Sequence, residues 1–146
     1  MGIWLLNTRF MEFDWDDDLW VKLLALARLH GWKPQGTKML KSYGRFTKDD
    51  RFLWGKPVEK WDPKWRGGYL AEEDSTGDRQ IVATRDAAAL ADALARSLRQ
   101  IPDERQPEKS REKDLHACFS GPLLKNNLRM FIIYCRKGRF QLIEVG

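Results

Sequence analysis

Apolar residues between positions 87 and 101 recur at the spacing of one helix face, and this feature constrains the fold more than any other. The stripe comprises Ala87, Leu90, Ala91, Leu94, Leu98 and Ile101. Residues spaced in this way lie on one side of a helix, so they predict an amphipathic helix capped by Thr84 or Asp86 and ended by Pro102. Such a helix gains most of its stability by packing its apolar face, so the chain must supply a core for it.

Two more stretches predict helices of the same kind. In residues 14–31 the apolar stripe is Leu19, Trp20, Leu23, Leu24 and Ala27. Asp14 or Asp16 is the expected cap of that helix, and Gly31 is its expected end. In residues 120–137 the stripe is Leu124, Leu128, Phe131, Ile132 and Cys135. Gly138 suits the end of this third helix, so the sequence predicts three main helices.

Short apolar stretches outside the helices predict a small sheet. Residues 3–6 and 140–145 are candidate strands, and residues 67–70 and 80–83 are predicted to pair as a hairpin across the acidic turn at 72–78. With three helices, these stretches predict an α+β fold with a small antiparallel sheet or hairpin. A length of 146 residues is usual for one domain, so residues 1–146 are predicted to form a single domain. Residues 102–116, dense in both charge signs, are predicted to form a connection or a short helix from Pro107.

Composition narrows the compartment and the class of protein. The chain has two cysteines, which is too few for a disulfide framework. It has no recognisable signal sequence at its start and no apolar stretch near the roughly 18 residues of a membrane helix. We therefore expect a reduced, cytoplasmic protein with no membrane span. The net charge of +5 is compatible with anionic partners and carries no information about the fold.

Residues 36–66, here called the basic-aromatic segment, contain the excess of positive charge and the best candidate binding residues. Positions 38–66 hold nine basic and four acidic residues, and nine minus four equals the net charge of the whole chain, +5. Glycine and proline interrupt the segment and no periodicity holds, so irregular structure is predicted. The candidate binding residues are Trp54, Lys56, Lys60, Trp61, Lys64, Trp65 and Arg66.

Three interpretations of this segment are open. Tryptophan and arginine are favoured at protein interfaces, which suits a protein partner, including an immunity-type role in bacteria, or a second copy of the chain as a homodimer. Cations that follow phosphates and rings that stack on bases suit a single-stranded nucleic acid. In the third interpretation the rings pin an irregular segment to the core, while the lysines keep it in solution.

Candidate catalytic and metal-binding residues are few. Cys118 follows His116 by two residues, as a nucleophile and a base could, but no family signature accompanies the two. The possible metal ligands are His30, His116, Cys118 and Cys135, which lack the spacing of zinc motifs. The acidic residues at 14–18 are explained by helix capping rather than by calcium. We therefore expect no metal, no cofactor and no catalytic residue, with a small enzyme as the least favoured alternative.

Several short motifs together resemble an uncharacterised family of small bacterial cytosolic proteins. They are Gly31-Trp32-x-Pro34-x-Gly36-Thr37, Trp65-x-Gly67-Gly68-Tyr69, Gln80-x-Val82, Asp86-Ala87, Leu90-Ala91-x-Ala93-Leu94, Leu128-x-x-Phe131 and Cys135-Arg136-x-Gly138-x-Phe140. Members of that family often have a short Asn-Asp-Gly turn before the Gln-x-Val strand, whereas here the turn is the longer acidic stretch 72–78. The resemblance implies a bacterial cytosolic protein and brings no catalytic residue.

Overall fold

Five strands form one antiparallel sheet in the computed structural model, which describes residues 2–39, 68–72 and 79–145. Within these ranges the strands are β1 (Gly2–Asn7), β2 (Glu12–Asp16), β3 (Lys38–Met39), β4 (Arg79–Val82) and β5 (Phe140–Val145). Their order across the sheet is β2-β1-β5-β4-β3, and every neighbouring pair is antiparallel. β1 and β5, far apart in sequence, therefore lie side by side at the centre of the sheet.

Helices account for most of the remaining described residues. They are α1 (Asp17–Leu29), α2 (Thr84–Ser97), α3 (Glu108–Lys113), α4 (Leu115–Cys118) and α5 (Pro122–Cys135). The three long ones, α1, α2 and α5, lie where the apolar stripes predict them. This arrangement confirms the α+β fold with three main helices and a small antiparallel sheet. None of the described helices is long and apolar enough to cross a bilayer.

One face of the sheet contributes to the main core. Leu5 of β1 and Leu142 of β5 lie opposite each other and are fully buried in this core. Phe131 of α5 contacts the ring of Trp20 of α1 at a centroid distance of 6.0 Å and the ring of Trp15 of β2 at 5.6 Å. The intervening strand positions place Trp4, Leu6 and Ile143 in a second, smaller buried cluster.

Strand β2 departs from the sequence-based expectation, which starts the first helix at residue 14. Buried Trp15 and partly buried Phe13 alternate with exposed acidic residues, the pattern of a half-buried strand. The helix begins only at Asp17, and Asp16 caps it by accepting a hydrogen bond of 2.9 Å from the Asp18 backbone N–H. Asp14 lies in the strand, so of the two predicted caps Asp16 is confirmed and Asp14 is wrong.

The predicted hairpin between residues 67–70 and 80–83 is wrong in its described part. Residues 68–72 contain no strand, and Ala71 has a positive φ of 72° within a turn. The Gln80 side chain bonds this stretch instead: its Oε1 accepts from the Leu70 N–H at 2.8 Å, and its Nε2 donates to the Gly68 carbonyl at 2.8 Å. The backbone of β4 pairs with β3 and β5.

Helix α2 begins without the predicted side-chain cap. Its N-cap is Ala83, which offers no capping hydrogen bond, so neither Thr84 nor Asp86 has the expected role. Asp86 is fully buried, because it lies four residues before Leu90 on the buried face of the helix. Its carboxylate accepts hydrogen bonds from distant side chains rather than from the helix terminus.

The charged connection at 102–116 contains the predicted short helix after Pro107. Pro107 is the N-cap of α3, and Asp114 caps α4 by accepting from the His116 N–H at 2.9 Å. Buried Lys125 of α5 donates to the Asp103 carboxylate at 2.8 Å, which attaches the start of the connection to α5. The connection is therefore bonded to the core rather than separate from it.

Candidate functional site

The candidate binding residues of the basic-aromatic segment lie outside the described residues. They are Trp54, Lys56, Lys60, Trp61, Lys64, Trp65 and Arg66. The structure describes the flanks of that segment, which reach residue 39 on one side and begin at residue 68 on the other. The structure therefore informs this candidate site through the described residues on either side of it.

The two flanks are bonded to each other. The Thr37 hydroxyl donates to the Gly68 carbonyl at 3.2 Å, and Gln80 Nε2 donates to the same carbonyl at 2.8 Å. Thr37 and Gln80 are fully buried, so water competes little for these hydrogen bonds. Two points that are 31 positions apart in sequence therefore meet beside strands β3 and β4.

A buried carboxylate organises the same region, and it forms with its donors the aspartate cluster (Trp32, Gln35, Tyr69 and Asp86). Asp86 accepts hydrogen bonds from Trp32 Nε1 at 2.9 Å, from the Gln35 backbone N–H at 3.4 Å and from the Tyr69 hydroxyl. Burial raises the pKa of Asp86, and the hydrogen bonds from Trp32 and Gln35 oppose that shift because they favour the charged form. The cluster joins both flanks of the segment to the first turn of α2.

An ion pair lies beside the aspartate cluster. Arg28 Nη1 and Glu72 Oε2 are 2.8 Å apart, and the Arg28 guanidinium lies over the Trp32 ring at 5.4 Å from its centroid. Trp32 also meets the Tyr69 ring edge-on at 5.3 Å. One tryptophan thus links the exposed ion pair to the buried carboxylate, which fixes the position of residues 68–72 relative to α1.

The flank contacts and the aspartate cluster involve residues from four of the short motifs named in the sequence, which contain Trp32 and Thr37, Gly68 and Tyr69, Gln80, and Asp86. These contacts have no local sequence signal, because the hydrogen-bond partners are far apart in the chain: Gln80 and Gly68 are 12 positions apart, and Trp32 and Asp86 are 54 apart. One signal was present in the sequence, since Asp86 interrupts a buried helix face. A polar residue at such a position is usually hydrogen-bonded inside the protein.

The tryptophans of the described residues are all core side chains. Trp4, Trp15, Trp20 and Trp32 are at most 3% exposed. The chain has seven tryptophans, so the remaining three are Trp54, Trp61 and Trp65 of the basic-aromatic segment. Among the tryptophans of the chain, the three interpretations of that segment therefore concern Trp54, Trp61 and Trp65.

The fold also brings together two histidines that are 86 positions apart, here called the histidine pair (His30 and His116). Their Nε2 atoms are 2.8 Å apart, and their ring planes meet at 87°. His116 Nδ1 lies 3.1 Å from Asp114 Oδ1, and Arg96 donates to the His30 carbonyl through Nη2 at 2.6 Å. Burial, and then the charges of His116 and Arg96, lower the pKa of His30. The pair joins the end of α1 to α4.

The geometry gives no support to His116 and Cys118 as a base and a nucleophile. Cys118 Sγ donates to the Arg111 carbonyl at 2.7 Å, whereas the His116 ring contacts Asp114 and His30. A nucleophile needs its base within hydrogen-bond reach. Cys118 lines a cavity of about 250 Å³ whose other lining residues are Lys22, Arg111, Glu112, Lys113, Asp114 and Leu115.

Cys135 is the remaining candidate ligand. Cys135 is buried, and burial raises the pKa of its thiol, so it is a poor metal ligand. Among the described residues no group of three or more histidine, cysteine, aspartate or glutamate side chains could hold a metal ion.

No protein-family model, curated protein or solved structure matches the chain. Its function is therefore inferred from its own residues.

Proposed function

We propose that the protein is a non-catalytic interaction module that binds a protein partner through the basic-aromatic segment, and that an immunity-type role in bacteria fits this class. The observation that supports it best is the hydrogen bond from Thr37 to Gly68, which joins the two flanks of the segment. The buried aspartate cluster fixes both flanks further. The described residues on the two sides of the segment thus meet at one well-anchored point of the fold.

Anchoring matters for binding because a partner must offset the entropy that the binding segment loses. A segment with both ends held at one place has already lost part of that freedom, so less remains to be offset on association. The composition of the segment also favours a protein interface. Trp54, Trp61 and Trp65 are the residue type most enriched at interface hot spots, and Arg66 belongs to another such type.

Nucleic-acid binding by the same segment is the second candidate. The excess of nine basic over four acidic residues at 38–66 favours it, since cations that neutralise phosphates drive such binding. The two functions differ in their response to salt. Affinity for nucleic acid falls steeply as salt rises because counterions are released, whereas a tryptophan-centred protein interface is much less sensitive.

The test captures partners from a bacterial lysate on the immobilised chain of 146 residues, with and without nuclease. We expect a specific protein to survive nuclease and to be lost with the triple variant Trp54→Ala/Trp61→Ala/Trp65→Ala. The matched control is the replacement by alanine of Leu123, Met130 and Ile133, three exposed apolar residues of α5, which should retain the partner. Retention by the tryptophan variant would overturn the proposal.

Two further readouts separate the alternatives. Circular dichroism and thermal unfolding of the tryptophan variant show whether it folds; a collapsed fold means that the rings belong to the core, and the proposal fails. Lys56→Ala/Lys60→Ala/Lys64→Ala is compared with exposed Lys33, Lys109 and Lys113 replaced by alanine as a control of equal charge. Retained material that disappears with nuclease and with the first lysine set alone supports nucleic acid instead.

A further inference from the structure

The histidine pair places two imidazole nitrogens face to face at hydrogen-bond distance. The Nε2 atoms of His30 and His116 are 2.8 Å apart, so one of them carries the hydrogen and the other accepts it. Neutral imidazole nitrogens are the commonest metal ligands in proteins. We propose that the histidine pair binds a divalent transition-metal ion of the Zn²⁺ type, which takes the place of the shared proton between the two Nε2 atoms.

The tautomer of His116 suits this role. Its Nδ1 lies 3.1 Å from Asp114 Oδ1, and a carboxylate at this distance accepts the Nδ1 hydrogen. The lone pair of His116 is then on Nε2, the atom that faces His30. Carboxylate groups hydrogen-bonded to metal-binding histidines have this arrangement, where they orient the ring and raise its basicity. His30 becomes the second ligand when its own hydrogen moves from Nε2 to Nδ1 by exchange with water.

The distances require a small adjustment. Zinc–nitrogen bonds of about 2.0–2.1 Å at a tetrahedral angle place two ligand nitrogens roughly 3.4 Å apart. The present separation is 2.8 Å, so the rings must tilt and move apart by roughly half an ångström. The backbone on each side is held while they do so, because Arg96 donates to the His30 carbonyl and Asp114 accepts from the His116 N–H.

The surroundings of the histidine pair favour a site from which the metal exchanges with solvent over a site enclosed by protein ligands alone. The chain has two histidines and two cysteines, and Cys118 and Cys135 are both buried. With no third ligating side chain grouped there among the described residues, the other positions are left to water or to a group from another molecule. The His30 side chain is only partly buried, so an ion can reach it from solvent. Nearby Arg96 opposes a cation, and Asp114 offsets this charge.

The test titrates Zn²⁺ into the metal-free chain of 146 residues and follows binding by calorimetry and by the imidazole signals in NMR spectra. We expect one saturable site and selective shifts of the ring signals of His30 and His116. His30→Ala and His116→Ala should each weaken binding by at least about tenfold, and Asp114→Asn by about 10–100-fold. Zn²⁺ should also raise the melting temperature of the wild-type chain.

The control is Cys118→Ser, since this thiol belongs to the same helix as His116 and is the nearest alternative zinc ligand in the sequence. It should leave the affinity within about twofold of wild type, because Cys118 takes no part in the proposed coordination. The proposal is overturned by the absence of saturable binding, by shifts that spare both rings, or by affinity that depends on Cys118 rather than on the histidines. The NMR readout on the wild-type chain decides the matter even if a histidine variant fails to fold.

Discussion

The aspartate cluster and the histidine pair each join the end of α1 to a later helix, but they differ in their access to water. Asp86 is fully buried and receives three hydrogen bonds. In the histidine pair, the His116 side chain is 12% exposed and its partner Asp114 is 58% exposed. A buried carboxylate is costly unless its donors are all present, whereas a partly exposed pair exchanges protons readily. The aspartate cluster therefore stabilises the fold, whereas the histidine pair is accessible to protons from the solution.

The largest effect on the free energy of unfolding should come from removing the carboxylate of the aspartate cluster. Asp86→Ala leaves Trp32 Nε1 and the Tyr69 hydroxyl buried without an acceptor, and each such donor costs about 1–3 kcal/mol. We expect a loss of about 3–5 kcal/mol in the free energy of unfolding, measured in urea. Asp92→Ala is the control, since Asp92 lies in the same helix but is exposed, with Arg136 at 3.5 Å. Equal effects of the two variants would contradict the structural role of Asp86.

A smaller effect should follow from removing one donor and keeping the ring. Tyr69→Phe deletes the hydroxyl that bonds to the Asp86 carboxylate and leaves the contact with Trp32 in place. We expect a loss of about 1.5–3 kcal/mol, because hydrogen bonds to charged groups are stronger than neutral ones. Tyr134→Phe is the comparison: its hydroxyl donates to the neutral Met11 carbonyl at 2.9 Å, so it should cost about 1 kcal/mol. A greater loss in Tyr134→Phe would show that the charge of Asp86 contributes little.

The helices were predictable from the sequence because their signals are local. An apolar stripe and a terminating glycine or proline mark each of α1, α2 and α5, and α1 and α2 also have an acidic residue in the first turn. Strand β2 was missed although Phe13 and Trp15 alternate with acidic residues, since Asp14 and Asp16 were both interpreted as caps. Here a correct signal for a cap at Asp16 concealed the shorter signal of the strand before it.

The two polar clusters were not predictable, because their contacts join residues that no sequence pattern connects. His30 and His116 are 86 positions apart, and neither lies in a metal-binding motif. Asp86 looked like a helix cap since it stands at the start of α2, and only its position on the buried face distinguishes it. The basic-aromatic segment remains a prediction from composition, and the structure adds to it only the joined flanks at Thr37 and Gly68.

The two clusters should also differ in the sign of their pH dependence. The pKa of His30 is lowered in the folded chain, so below pH about 6.5 the unfolded state binds a proton that the folded state resists. The contribution of His30 to the free energy of unfolding is therefore present above pH about 6.5 and is lost as the pH falls. The raised pKa of Asp86 acts in the opposite sense, since stability falls as the pH rises from the unfolded value of 3.8 through the folded one. Thermal unfolding of wild type and His30→Gln from neutral pH to about pH 5 measures the first effect.

We expect the melting temperature of the wild type to fall more steeply over that range than that of His30→Gln. The variant lacks the titrating ring, so the proton uptake that drives the loss is gone. Asp86→Asn, if it folds, keeps the histidine pair and should retain the steep acid limb of the wild type. Parallel curves for wild type and His30→Gln would mean that the histidine pair has no part in the acid sensitivity of the fold.

The smallest effect should come from the ion pair beside the aspartate cluster. Arg28 and Glu72 are 39% and 15% exposed, and pairs near the surface contribute about 0.2–1 kcal/mol. Glu72→Gln should therefore cost about 0.5 kcal/mol in urea unfolding, and the difference should shrink at high salt because exposed charges are screened. Asp92→Asn breaks a longer and more exposed pair with Arg136 and should cost less still. A loss of stability in Glu72→Gln as large as that in Tyr69→Phe would mean that the ion pair, rather than the buried carboxylate, holds residues 68–72 against α1. The expected difference between buried and exposed contacts would then be wrong for these two neighbouring contacts.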